Sequence, residues 1–378
     1  MNSAIIEHVK LQNITFWSSV PCSILNPLYN VFSRSDDIRS VTATSEGEAV
    51  GIASGAWLAG ERAGVMMQNS GLGNAINPLT SLNIPFQIPL ALMITWRGKP
   101  GMKDEPQHEF MGKITPSLLS LLEFGAEEIS TDLVRLEQSF RTLAAQLDER
   151  KSHALLIPSG ILSSQAFDVT PSNEIVTTSV QNFLDNRGIP TRYKAIEACL
   201  DTLPELSAII ATTGKTGREL FTIGDQERFF YQVGSMGCAS AIGLGVALNS
   251  KLPIVIFDGD GAALMKLGNL ATIGNQSPEN LIHIIFDNGV YDSTGGQFTH
   301  SQTTDFAEIA KACGYCNVYR ANSIEGLRKS VTNAVKESGP NLIHMKIAPG
   351  SLKNLARPTV SPSEVAFRFR TFLTKHKL

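Results

Sequence analysis

Residues 254–261 read Ile-Val-Ile-Phe-Asp-Gly-Asp-Gly, an apolar run that ends by presenting Asp260 between Gly259 and Gly261. Glycine on both sides lets the backbone turn sharply and come close to a ligand, which a Cβ would prevent. The residues that follow, 262–274, read as a helix, so free N–H groups at its start face the same place and favour a phosphate. A carboxylate beside such a helix start suits a divalent cation that bridges it to phosphate oxygens. Mg2+ fits best, because it is a hard cation that prefers oxygen donors. A second apolar run, 281–289, ends in Asp287-Asn288-Gly289 and supplies an amide oxygen. Twenty-six residues separate Gly261 from Asn288, the length of one helix and one strand, which places two adjacent strand ends on one metal.

Those strand ends need a scaffold. In the first half the pattern predicts helices over 21–32, 47–60, 74–82 and 134–147, and strands over 38–43, 63–69, 86–96 and 153–160. Residues 97–113 read as a long polar loop between them. The second half predicts strands over 206–214, 228–234, 252–259, 281–289 and 341–347, with helices between. Continuous apolar strands alternating with helices imply parallel sheets covered on both faces, and such sheets bind ligands where strands end and helices begin. Residues 165–188 lose this rhythm and read as a linker. The expected fold class is α/β, with two doubly wound parallel-sheet domains over 1–164 and 189–378.

Composition agrees with that layout. A chain of 378 residues, 43% hydrophobic and 18% charged, has material for two buried cores. No stretch approaches the roughly 20 apolar residues of a membrane-spanning helix, and the N-terminus lacks the apolar region of a secretion signal. A cytoplasmic protein with no membrane partner is the expectation. A net charge of −3 without a basic stripe argues against nucleic acid as a partner. Cys313 and Cys316 form a CxxC, but no second pair completes a zinc site, so the five cysteines read as ordinary reduced thiols.

Gly259-Asp260-Gly261, the interval to Asn288, and Asp287-Asn288 together resemble the signature of thiamine diphosphate enzymes. The resemblance implies thiamine diphosphate and Mg2+ as cofactors, with Asp260, Asn288 and the main chain of Val290 as metal ligands. Asp287 stands where the family usually has a first asparagine. Residues 1–164 would be the aminopyrimidine-binding domain and 189–378 the diphosphate- and metal-binding domain. In the family, a Glu nine residues before a Gly on a small-residue helix shares a proton with the aminopyrimidine. Glu46 and Gly55 have that spacing, while the rival Glu48 would place Trp57 at the Gly position. Apart from the family, either acid suits the first turn of a helix.

Other segments extend the resemblance. QVGSMG (232–237) is similar to the segment whose bulky residue bends the cofactor, which implicates Gly234, Ser235 and Met236, although a Met is commonly core filler. ATTGKTGREL (211–220) resembles the first diphosphate loop, with Thr213 and Gly214; as a P-loop it fails, because Ile209 stands where a Gly is required. Gly259, Gly261 and Ala262 would line the diphosphate. QNSGLGNAINPL (68–79) resembles the loop on the aminopyrimidine side, with Gly71, Gly73 and Asn74 nearest.

The absence of room for a middle domain, with segments 96–108 and 287–297, resembles the phosphonopyruvate decarboxylase family, to which sulfopyruvate decarboxylases are close. That implies a carboxy-lyase acting on a small anionic 2-oxo acid, 3-phosphonopyruvate, with a homodimer as the smallest functional unit. Glu48 and the pair Val290-Tyr291 depart from the expected pattern near the site. Loop 97–113 gathers Arg97, Lys99, Lys103, His108 and Lys113, offset in part by Asp104, Glu105 and Glu109. Arg97 is the candidate bidentate donor to a phosphonate and His108 the candidate proton donor; the plain alternative is a solvated loop. Ser293, Thr294 and Gln297 would add neutral donors. Three other functions compete: decarboxylation of sulfopyruvate or another 3-substituted pyruvate, carboligation with a second keto acid, and binding without turnover.

Overall fold

The computed structural model describes residues 1–163 and 178–377. The chain divides into two compact units, Met1–Ser172 and Asn173–Leu378.

The first unit contains β1 (Phe16–Ser19), β2 (Arg39–Thr42), β3 (Ala63–Gln68), β4 (Ala91–Trp96), β5 (Gly125–Glu128) and β6 (His153–Pro158). They form one sheet, parallel throughout, in the order β2-β1-β3-β4-β6-β5. From β1 the chain runs outward to β2 and returns as β3 on the other side of β1. That reversal opens a crevice at the carboxyl ends of β1 and β3. Every residue of β6 is buried, as are all but the last of β3 and of β4, which is why these strands read as apolar runs. Helix Glu46–Leu58 follows β2; Ser45 caps it by accepting from the Glu48 N–H, and its small side chains let residues 47–58 be buried all round.

The second unit contains β7 (Val180–Phe183), β8 (Ala208–Ala211), β9 (Phe229–Tyr231), β10 (Ile254–Gly259) and β11 (Leu281–Asp287). It continues with β12 (Val290–Tyr291), β13 (Gln297–Phe298), β14 (Asn317–Ala321) and β15 (Asn341–Lys346). Its main sheet is parallel in the order β7-β14-β15-β11-β10-β8-β9, while β12 and β13 form an antiparallel hairpin after β11. The chain goes from β8 outward to β9 and crosses back to β10, so the switch point lies between β8 and β10. All of β11 and all but the last residue of β10 are buried.

The α/β class and the parallel sheets agree with expectation, and several elements differ. The strand expected over 86–96 is confined to Ala91–Trp96; Ile84–Phe86 is helical, and Pro89 keeps the approach to the strand irregular. The polar loop 97–113 is shorter than expected, because Pro106 starts the helix Pro106–Leu121. The helix expected over 262–274 is two pieces, Asp260–Met265 and Gly268–Gln276. Of the segment read as a linker, 165–177 lie outside the described residues, and Val180–Phe183 forms the edge strand β7. Among the described residues no helix is long and apolar enough to cross a membrane.

Candidate active site

In the first unit, Glu46 opens its helix at the carboxyl edge of the sheet. Asn74 donates its side-chain N–H to Glu46 Oε2 at 2.8 Å. Gly71 lies so close that an added Cβ would sit 2.1 Å from Glu46 Oε1. Three residues expected at the aminopyrimidine side are thus brought together, while Gly73 faces open space. Glu48 turns the other way. It is fully buried, and its Oε2 accepts from the Thr44 N–H at 2.7 Å and the Thr44 hydroxyl at 2.5 Å. Glu48 therefore closes the turn before the helix, and Glu46 is the acid that meets Asn74 and Gly71.

Around Glu46 lie residues that the sequence reading passed over. Cys22 Sγ, after β1, lies 3.5 Å from Gln68 Oε1 and 3.6 Å from Thr95 Oγ1, at the ends of β3 and β4. The Tyr29 hydroxyl donates to the Val20 carbonyl at 2.6 Å. Burial, then the neighbouring Cys22 and Glu46, pushes that phenol far above its ordinary range. Only the contact between three strand ends marks this cluster.

In loop 97–104 the offsetting acid expected from the sequence is seen directly. The Arg97 Nε lies 2.8 Å from Asp104 Oδ2 and its Nη2 2.5 Å from Oδ1, a bidentate pair. Hydrogen bonding by Arg97 holds the Asp104 carboxyl well below the usual carboxylate range. Lys99 pairs with Glu128 at 2.6 Å and lies over the Trp96 ring. Buried Asn69 anchors the loop: its Oδ1 accepts from the Arg97 N–H, and its Nδ2 donates to the Arg97 carbonyl. His108 sits half-buried in the first turn of the following helix. The Arg97 guanidinium therefore has an internal partner, one of the acids that the sequence set against the loop's cations.

In the second unit a cavity opens at the ends of β8, β10 and β11. It is lined by Thr213, Met236, Gly259, Asp260, Gly261, Ala262, Asn288, Val290 and Ser293, all singled out from the sequence, and by Tyr291. The turn before Met236 is left-handed at Gly234 (φ 62°) and Ser235 (φ 44°), which brings Met236 to the cavity. Gly214 (φ 95°) caps helix Lys215–Ile223, and Ser293 Oγ would lie 3.6 Å from an added Cβ there. Gln297 is not among the lining residues; its amide bonds to Thr294 within the hairpin.

Asp260 is almost wholly buried, and its Oδ2 accepts from the Thr299 hydroxyl at 2.5 Å. Burial raises its carboxyl above the ordinary range, against the effect of Thr299. The Asn288 amide donates to Asp292 Oδ2 at 2.7 Å, and Asn288 Oδ1 accepts from the Val290 N–H at 3.1 Å. Asp287 points away from the cavity lining. Burial opposes its ionisation, yet hydrogen bonds from His344 (2.8 Å), Lys346 (2.5 Å) and Ser301 (2.8 Å) hold it well below the usual range.

Arg192, Thr212, Lys215, Thr216 and Asp292 also line the cavity and were not singled out. Lys215 stood in plain view after Gly214, whereas Arg192 carries no local motif. Its guanidinium binds Glu219 at 2.9 Å and Asp292 at 3.3 Å.

The residues present fit a cation-bound diphosphate. Thr212 Oγ1 is buried and meets no donor or acceptor in the protein, although its residue lines the cavity beside Lys215. Asp260, the Asn288 amide and the Val290 carbonyl are all hard oxygen donors, the type that Mg2+ takes. Among the described residues no cluster of three His, Cys, Asp or Glu forms an all-protein metal cage, as suits a cation that shares its shell with phosphate.

Comparison with known proteins agrees with this geometry. Residues 1–114 match the thiamine pyrophosphate enzyme N-terminal TPP binding domain, and residues 212–345 the C-terminal TPP binding domain. A phosphonopyruvate decarboxylase of Streptomyces viridochromogenes is 44% identical over 96% of this chain and 92% of its own length. A sulfopyruvate decarboxylase of Methanosarcina acetivorans is 31% identical over 99% of this chain and 97% of its own. Among solved structures, a benzoylformate decarboxylase of Polynucleobacter necessarius aligns with a TM-score of 0.72 at 13% identity, covering 93% of this chain and 99% of that one. With both binding domains matched and full-length relatives at these identities, the chain belongs to the thiamine pyrophosphate enzymes, in the family of the phosphonopyruvate and sulfopyruvate decarboxylases.

Proposed function

We propose that the chain is a carboxy-lyase that converts 3-phosphonopyruvate to phosphonoacetaldehyde and CO2 with thiamine diphosphate and Mg2+. The observation that carries this reading is the 44% identity to a phosphonopyruvate decarboxylase over nearly the whole of both chains. Asp260, Asn288 and the Val290 carbonyl would hold Mg2+. Thr212, Thr213, the amide of Gly214 and the turn Gly259–Ala262 would receive the diphosphate, and Lys215 would balance its charge. Met236, raised on its left-handed turn, would pack against the bound cofactor. Bound thiamine diphosphate supplies the electron sink that accepts the pair left when CO2 departs.

On the first unit, Glu46 holds the proton exchanged with the aminopyrimidine. Asn74 orients that carboxyl, and Gly71 leaves room for it. Arg97 binds the phosphonate in exchange for Asp104, an anion-for-anion replacement that keeps the guanidinium paired. His108 delivers the proton that the aldehyde carbon needs, and Ser293 adds a neutral donor. The working unit is a cytoplasmic homodimer, as the family resemblance implies.

A second reading, sulfopyruvate decarboxylation, is favoured by the 31% identity to a sulfopyruvate decarboxylase over 99% of this chain. Aldehyde release from phosphonopyruvate, sulfopyruvate and pyruvate, each with saturating thiamine diphosphate and Mg2+, separates the readings. The highest kcat/KM is expected for phosphonopyruvate. A higher value for sulfopyruvate would transfer the assignment to the second reading.

A further inference from the structure

Thr299 lies thirty-nine residues beyond Asp260, outside every motif, and it is buried. Its hydroxyl donates to Asp260 Oδ2 at 2.5 Å. Its backbone N–H donates to the Gly289 carbonyl at 2.9 Å, between the candidate ligands Asn288 and Val290. One residue therefore ties the end of β10 to the loop after β11. Ser301 continues the link, donating to Asp287 Oδ1 at 2.8 Å, and the same oxygen accepts from the Gly289 N–H at 3.1 Å.

We infer that Thr299 is a positioning residue for the cation: it fixes the rotamer of Asp260 and the separation of Asp260 from the Asn288–Val290 loop. The inference rests on the reading of Asp260 as a Mg2+ ligand. The Ser301 side chain and the Gly261 N–H also reach Asp260, with smaller effect than Thr299, so loss of the Thr299 hydroxyl loosens the carboxylate, and ordering it again on cation binding costs affinity. Partners that orient a metal's ligands commonly change affinity by about 10–100-fold when removed. Thr299→Val keeps the shape, the β-branch and the backbone N–H bond to Gly289, and deletes only the hydroxyl. Thr299→Ser keeps the hydroxyl and loses the methyl.

The test is calorimetric titration of Mg2+ into wild type, Thr299→Val and Thr299→Ser, each with saturating thiamine diphosphate, alongside thermal melts without metal. The expected result is a loss of Mg2+ affinity of about 10–100-fold in Thr299→Val, wild-type-like affinity in Thr299→Ser, and closely similar metal-free melts. Wild-type affinity in Thr299→Val would overturn the inference while leaving Asp260 as a ligand. Equal losses in both variants would overturn it too, by tracing the effect to packing. Wild-type protein that takes up no Mg2+ would remove the metal reading itself.

Discussion

The side-chain amide of Asn74 lies 2.8 Å from Glu46 Oε2, and Gly71 closes the other side of the same carboxyl. One segment, reaching Asn74 twenty-eight residues beyond Glu46, thus converges on the one acid that the proposed proton exchange requires. Asn74→Ala removes a hydrogen bond to a carboxyl, worth about 1.5–3 kcal/mol if that group is charged. Decarboxylation is expected to fall by roughly 10–100-fold, with thiamine diphosphate affinity little changed, as read by steady-state kinetics beside calorimetry.

Gly71→Ala tests the closeness of the contact. A methyl 2.1 Å from Glu46 Oε1 cannot be accommodated unless that carboxyl moves. Displacement of a reacting group by about 1 Å costs on the order of 10²-fold in rate. The expected outcome is a loss in kcat of that size while the melting temperature stays within a few degrees.

Gly261 makes the corresponding contact in the second unit, where an added Cβ would lie 2.3 Å from the Tyr291 ring. Gly261→Ala should weaken cofactor binding by about tenfold or more, and Tyr291→Ala in the same chain should restore part of the loss. A double-mutant cycle reads this coupling; additive losses would mean that the ring is not what the methyl meets.

The Arg97–Asp104 pair gives a pH prediction. Hydrogen bonding by Arg97 depresses the folded-state pKa of Asp104. A depressed carboxyl adds stability above its unfolded value, near 4, and that stability is lost as pH falls through the folded value. Wild type should therefore lose melting temperature below about pH 4, and Asp104→Asn should start lower at neutral pH and lose less on acidification. If phosphonate replaces Asp104 on Arg97, Arg97→Ala should raise KM for phosphonopyruvate more than for pyruvate.

Asp260→Ala removes the carboxylate from the metal set. Calorimetry should find no Mg2+-dependent retention of thiamine diphosphate, whereas undiminished retention would place the cation elsewhere.

The sequence made legible what is local. Strand, glycine turn and helix follow one another around Asp260, and a fixed interval reaches Asn288, so β10, β11 and the meeting of Asp260 and Asn288 in one cavity could be read directly. The spacing of Glu46 to Gly55 singled it out only through the family resemblance, since either acid suits the first turn of the helix. Residues whose role depends on a distant segment were hidden: Thr299 acts on Asp260, Arg192 on Asp292 one hundred positions away, and Cys22 meets Thr95 only once β1 and β4 lie in one sheet. Charge counting in 97–113 named the partner of Arg97, Asp104, among the offsetting acids, whereas Glu128, the partner of Lys99, lies in another strand and was not legible. The helix Pro106–Leu121 was masked by its polar first turn, although Pro106 is a start signal.

The central claim is that Glu46 performs chemistry on a cofactor that it does not itself retain. CO2 release from 3-phosphonopyruvate by wild type and Glu46→Gln, with thiamine diphosphate and Mg2+ binding measured on the same samples, tests this most directly. The account predicts cofactor affinity within a few-fold of wild type and a fall in CO2 release of about 10²–10⁴-fold, the usual worth of a positioned proton-transfer group. Near-normal CO2 release by Glu46→Gln with cofactor bound would contradict it.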